Sequence, residues 1–120
     1  MSSAASTFAP QRDSDLWGNR RKWIRHECGP EVSCRLILDG ANHLRAKQIQ
    51  NISAGGINLV LERMVPTGKV LTVELHHPQR AFTLKRQARV TYLFRNPEGN
   101  FVMGGAFAWE LGIEDLENLL

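Results

Sequence analysis

The chain has 120 residues, enough for one domain with a modest core and too few for a second. Apolar residues make up 42% and charged residues 22%, a balance that excludes global disorder, and no apolar run is long enough to span a bilayer. The formal net charge is +3, and residues 1–19, with one Arg and two Asp, leave residues 20–120 with +4, of which four positive charges fall within Arg20–Arg25; that is a local anion site rather than a nucleic-acid-coating stripe.

Residues 1–19 are rich in Ser, Ala and polar side chains with no sustained period, so they are expected to form a mobile tail, with Trp17 as its large apolar residue docking on the domain. No signal-peptide core opens this segment. Together with two cysteines that form no CxxC pair, this sets the expectation of a reducing cytoplasm and no membrane insertion.

From Glu31 the pattern takes period two: Val32, Cys34, Leu36 and Leu38 alternate with polar residues and predict a half-buried strand. Asp39-Gly40 supplies a tight reversal, and a second strand of poorer alternation follows through about Ile49. Ile57, Leu59 and Leu61 mark a third strand, and Pro66-Thr67-Gly68 a turn. Leu71, Val73 and Leu75 mark a fourth, and His77-Pro78-Gln79 another reversal. Phe82, Leu84, Ala88, Val90, Tyr92 and Phe94 share the inward parity of a long fifth strand, on which Arg86 is out of place. After Asn96-Pro97-Glu98-Gly99 comes a sixth strand with Phe101, Met103, Phe107 and Trp109 inward. Residues 111–120 carry Ile113, Leu116, Leu119 and Leu120 at helical spacing, with Glu114, Asp115 and Glu117 early, where the helix dipole favours acids. The fold class is therefore all-β: a small six-stranded antiparallel barrel with a C-terminal helix.

Enzyme chemistry finds no support. The four histidines lie in turns or charged stretches without a nucleophile context, and His76-His77 reads as an exposed turn pair. No phosphate loop of the GxxxxGK[ST] type exists, and Gly104-Gly105 within a strand marks a bulge or close packing. Cys28 and Cys34, six apart, lack the paired spacing of a structural zinc site, and Cys34 reads as a small buried residue. No metal and no cofactor is expected.

Two segments carry a binding chemistry instead. Arg20-Arg21-Lys22-Trp23-Ile24-Arg25 concentrates charge, and Arg21 and Arg25, four apart, present planar forks suited to phosphate oxygens or the O6/N7 edge of guanine. Asn51-Ile52-Ser53-Ala54-Gly55-Gly56 offers two small polar side chains and two glycines, Gly55 and Gly56, whose bare backbone lets a ligand approach. Each segment alone is common; their order is not. Arg21-x-x-x-Arg25, a strand pair, Asn51-x-Ser53-x-x-Gly56, and alternating strands ending in Gly104-Gly105-Ala106-Phe107 resemble the PilZ domain family of bacterial cyclic di-GMP receptors, over about residues 20–112. The resemblance implies a six-stranded antiparallel barrel with a flexible N-terminal arginine segment that folds over ligand. Arg21 and Arg25 would grip guanine and phosphate, Arg20 would add a third fork, and Asn51 stands where the family has Asp or Asn. Ser53 would read the base edge and Gly56 would leave room for the ring. Ala106 stands where relatives often have Cys.

The implied domain is residues 20–120, behind the tail of residues 1–19. The expected function is a non-catalytic cyclic di-GMP receptor or adaptor that orders its arginine arm on binding and signals through a protein partner. Two alternatives stand beside it: a degenerate PilZ-type adaptor that binds a protein without nucleotide, and a small barrel that binds single-stranded nucleic acid. Inward parity of most aromatics argues against the latter.

Overall fold

The computed structural model describes residues 24–120; Trp17, Arg20 and Arg21, and with them most of the expected arginine arm, lie outside the described residues. Strand β1 (Ser33–Asp39) turns at Gly40, whose φ is +49°, into β2 (Asn42–Arg45), with Asp39 opposite Asn42. β3 (Gln48–Ile52) and β4 (Gly56–Leu61) flank the Ser53–Gly55 turn. β5 (Val70–His77) and β6 (Phe82–Arg95) are joined by a short 3-10 turn at Pro78–Arg80, and β7 (Phe101–Phe107) leads to helix α1 (Ile113–Leu119). All strand pairs are antiparallel, in one curled seven-stranded sheet of order β2-β1-β5-β6-β7-β4-β3.

The strand count is seven because the second expected strand is bent. The Ala46 N–H donates to Cys34 O of β1 (2.9 Å), and the next N–H, of Lys47, donates to Val60 O of β4 (2.8 Å). One run of chain thus leaves the ladder of β1 and joins that of β4, curling the sheet into a half-barrel. The inner face is filled by alternating side chains: Leu36, Ile57, Leu59, Leu61, Val73 and Met103 are fully buried. Each such side chain contributes about 1.5–3 kcal/mol relative to exposure.

The seven-residue α1 is too short to be stable alone. It is held because Leu116 and Leu119 are buried in the same core as Leu111, and because Arg86 Nη2 of β6 pairs with Asp115 Oδ2 at 2.9 Å. That contact accounts for the arginine on an inward parity: between the buried Leu84 and Ala88 its side chain reaches the Asp115 carboxylate of the helix. Arg80 Nη1 also donates to the Glu117 carbonyl.

Three expected placements are corrected. The register of β6 against β7 slips between Val90 and Tyr92, so Thr91 is an extra residue, and a bulge reverses the parity beyond it. Leu93 therefore packs against the core, while Tyr92 and Phe94 face outward at 42% and 54% exposure, stacked at 6.1 Å. Trp109 lies past the end of β7 and is 72% exposed. Of the histidine pair, only His76 is exposed, with Nδ1 at 2.8 Å from Thr83 Oγ1; His77 is buried, its Nε2 3.5 Å from Glu31 Oε2.

Gly56 is buried where β4 begins, and a Cβ there would lie 2.6 Å from the Gly105 carbonyl oxygen of β7. The atom in the way is backbone, held in the ladder, so the strands would have to part. Gly56→Val is expected to destabilise the ligand-free protein by about 1–3 kcal/mol. Urea unfolding without ligand measures this; an unchanged midpoint would mean that β4 and β7 yield to the side chain.

Candidate functional site

The segment before β1 is tied to the sheet by one isolated bridge: the His26 N–H donates to Ile52 O and the Ile52 N–H to His26 O, both at 2.8 Å. His26 thereby extends the edge beside β3 and sets its neighbour Arg25 next to Asn51. Arg25 Nη1 donates to Asn51 Oδ1 at 3.2 Å across 26 residues of chain. Two residues that belonged to separate sequence motifs are adjacent in space.

Asn51 is half-buried at the end of β3, and its Oδ1 also accepts from Asn58 Nδ2 of β4 at 2.9 Å. Asn58 Oδ1 in turn accepts from the Tyr92 hydroxyl of β6 at 2.5 Å. The register makes this row possible: Asn51 lies opposite Asn58, Asn58 opposite Gly104, and Gly104 opposite Tyr92. Tyr92 must cross β7 to reach Asn58, and it does so over Gly104, where a Cβ would lie 2.1 Å from ring atom Cε2. The Thr91 bulge, with Thr91 Oγ1 donating to Gly104 O at 3.0 Å, is what turns the ring to this outer face.

The Ser53–Gly56 turn is framed from both sides. The Ser53 N–H donates to Gly56 O (2.9 Å), and the turn's outer carbonyls receive the chain after β7: Phe107 N–H to Gly55 O (2.9 Å) and Leu111 N–H to Ala54 O (2.8 Å). Ser53 is 3% exposed and its Oγ accepts the Gly55 N–H at 3.3 Å, so in this structure its side chain shapes the turn. Gly55 is half-exposed at the turn's tip, whereas Gly56 is covered by β7.

Of the sequence-expected site residues, the structure brings together Arg25, Asn51, Ser53, Gly55 and Gly56 around one edge of the half-barrel; Arg20 and Arg21 lie outside the described residues. Sequence reasoning missed Asn58 and Tyr92. Asn58 left a faint signal, a polar residue between Ile57 and Leu59 on the outward parity; Tyr92 left none, because a bulge decides its side.

The thiols offer no nucleophile. Burial, followed by the charge of Glu31, pushes the Cys28 thiol up to about 11, and burial holds that of Cys34 well above the ordinary thiol range, so neither supplies thiolate near neutrality. Among the described residues, no three His, Cys, Asp or Glu side chains are placed to hold a metal ion, and no helix is long and apolar enough to cross a membrane.

The sequence profile of the PilZ domain matches residues 19–120. No curated protein sequence matches the chain. Among solved structures the fold is similar to an inhibitor of motility from Bacillus subtilis, MotI/DgrA, with a TM-score of 0.61 and 22% identity over 83% of this chain. The chain spans 48% of that protein. It is also similar to the PilZ domain of Escherichia coli YcgR with c-di-GMP, at a TM-score of 0.60 and 17% identity over 83% of this chain and 86% of that one. Against Escherichia coli YcgR in complex with c-di-GMP the TM-score is 0.59 at 18% identity, over 82% of this chain and 41% of that one. Identities this low carry the fold and leave residue roles open.

The Gly104 contact is testable because the chain has a single tyrosine. Gly104→Ala places a methyl group where the Tyr92 ring lies, and the exposed ring moves more readily than the backbone. The tyrosine ring resonances are expected to shift to those of a freely solvated side chain, while stability changes by less than about 1 kcal/mol. Unshifted ring resonances in the variant would refute the close packing of Tyr92 over Gly104.

Proposed function

This chain belongs to the PilZ domain family, and we propose that it is a non-catalytic receptor or adaptor for cyclic di-GMP. The observation that carries the reading is the contact of Arg25 with Asn51, which sets the end of the arginine motif against the start of the Asn51–Gly56 motif. A cyclic dinucleotide has two phosphate charges and two purine faces, so it needs arginines for charge and stacking and a few polar groups for base edges. In this proposal Arg20, Arg21 and Arg25 hold phosphate and guanine. Asn51 meets a base, Ser53 fixes the turn on which the base rests, Gly55 keeps that surface low, and Gly56 acts behind it by letting β4 and β7 close up. Cys28 and Cys34 take no part.

The arm acts as a switch in this reading: ligand pulls the basic segment onto the turn, and the altered face signals to a protein effector in the cytoplasm. The concentration of like charge in Arg20–Arg25 supports it, since two phosphates would neutralise that repulsion. Outward-facing Tyr92 and Phe94 withdraw the parity argument against single-stranded nucleic acid; the test therefore includes an oligonucleotide.

Titration calorimetry with cyclic di-GMP tests the site. Arg21→Ala and Arg25→Ala each remove a charge-assisted contact and are expected to weaken binding about ten- to a hundredfold, with stability nearly unchanged. Variants that bind like wild type, or a wild type that prefers the oligonucleotide, would overturn the assignment.

Limited proteolysis tests the switch. Saturating cyclic di-GMP is expected to slow tryptic cleavage after Arg20, Arg21, Lys22 and Arg25, and this protection is expected to fade as salt rises, because the contacts are largely ionic. Equal cleavage with and without ligand would leave a static binding site at most.

A further inference from the structure

Between the His26–Ile52 bridge and the start of β1 runs a short connection, residues 27–32, whose shape decides where the arginine segment leaves the sheet. It reverses at a turn in which the Val32 N–H donates to Gly29 O (3.2 Å), with Pro30 fixing the backbone at the turn's second position. Gly29 is half-buried and its φ lies outside the left-handed region, so the turn itself does not call for glycine. Its bare Cα serves a side chain instead. A Cβ there would lie 2.5 Å from Glu31 Oε1 and 2.6 Å from Oε2, because the Glu31 carboxylate folds back over the glycine. Oε2 also faces Nε2 of His77, 3.5 Å away at the end of β5. His77 is 2% exposed and its Nδ1 has no partner among the described residues, so without the carboxylate both ring nitrogens would be stranded in the interior.

We propose that Gly29, Glu31 and His77 form a clasp that positions the root of the arginine arm, so that Arg25 stands against Asn51 before ligand arrives. The near end of the root is held to β3 by two backbone bonds at a sheet edge, where water competes for them, and the far end is held to β5 by the clasp. β5 lies inside the sheet, between β1 and β6, and supplies none of the candidate site residues. The arm thus takes its position from a strand remote from the site. The effect on ligand rests on the cyclic di-GMP reading above: an arm already in place has less freedom to lose on binding. Loss of the clasp then weakens binding without removing any group that meets the ligand.

Amide hydrogen exchange of the ligand-free protein, paired with titration by cyclic di-GMP, tests the clasp. In Glu31→Ala the amides of His26 and Ile52 are expected to exchange about tenfold faster while those of the β6–β7 ladder keep their rates, and affinity is expected to fall about three- to tenfold. Glu31→Gln keeps an oxygen within reach of Nε2 and is expected to restore both. Gly29→Ala requires only that the carboxylate swing away, so it is expected to reproduce Glu31→Ala. The double variant is expected to match Glu31→Ala alone, since the three atoms nearest the added methyl group all belong to the Glu31 carboxyl group. Unchanged exchange at His26 and Ile52 in Glu31→Ala, no rescue by Glu31→Gln, or additive effects of the two alanines overturns the clasp. Faster exchange with unchanged affinity overturns its part in binding and leaves the cyclic di-GMP reading standing. A wild type without affinity for cyclic di-GMP overturns that reading, and the exchange rates still decide the clasp.

Discussion

Two consecutive backbone N–H groups, those of Ala46 and Lys47, donate to carbonyls on different strands, Cys34 of β1 and Val60 of β4. Buried or edge-facing backbone groups need partners, and this pair finds them only if the chain between β2 and β3 bends and the sheet curls to meet it. The curl gives the sheet a concave inner face lined by Leu36, Leu59, Val73 and Met103, and leaves an end that α1 covers with Leu116 and Leu119. It also places β3, β4, β7 and β6 side by side on the outer face, where Asn51, Asn58, Gly104 and Tyr92 fall in line.

The outer row depends on two irregularities in otherwise regular strands. Without the extra residue at Thr91, Tyr92 would join Val90 on the core side and could not reach Asn58. Without the bare Cα of Gly104, the ring could not lie across β7. Bulges recur beside functional surfaces because they re-aim a side chain at the cost of one unpaired residue. Here the re-aimed side chain supplies a hydroxyl to a polar network whose other end is an arginine.

The rigid and the adjustable parts of the candidate site are distinct. Backbone bonds from Phe107 at the end of the neighbouring strand β7 and from Leu111 just after it hold the Ser53–Gly56 turn in shape without a ligand. Arg25 is exposed and held to Asn51 by a side-chain contact that solvent competes for. A preformed surface beside an exchangeable cation suits recognition of a charged planar ligand, because little ordering is required of the turn itself.

The amino-acid sequence by itself determined the succession of strands along the chain apart from the split of the second, the turns at Asp39-Gly40 and Asn96–Gly99, the terminal helix and the two motifs that frame the candidate site, since each of these is written in local periodicity or local turn chemistry. Asn51, Ser53, Gly55, Gly56 and Arg25 were legible for the same reason. The bend at Ala46–Lys47 was not, because neither residue is a turn former and the bend exists to serve two distant strands. The side of Tyr92, the burial of His77 against Glu31, the pairing of Arg86 with Asp115 and the covering of Gly56 by Gly105 were decided by tertiary structure alone. Each depends on which residue lies opposite in a register that residues far apart in the chain set together.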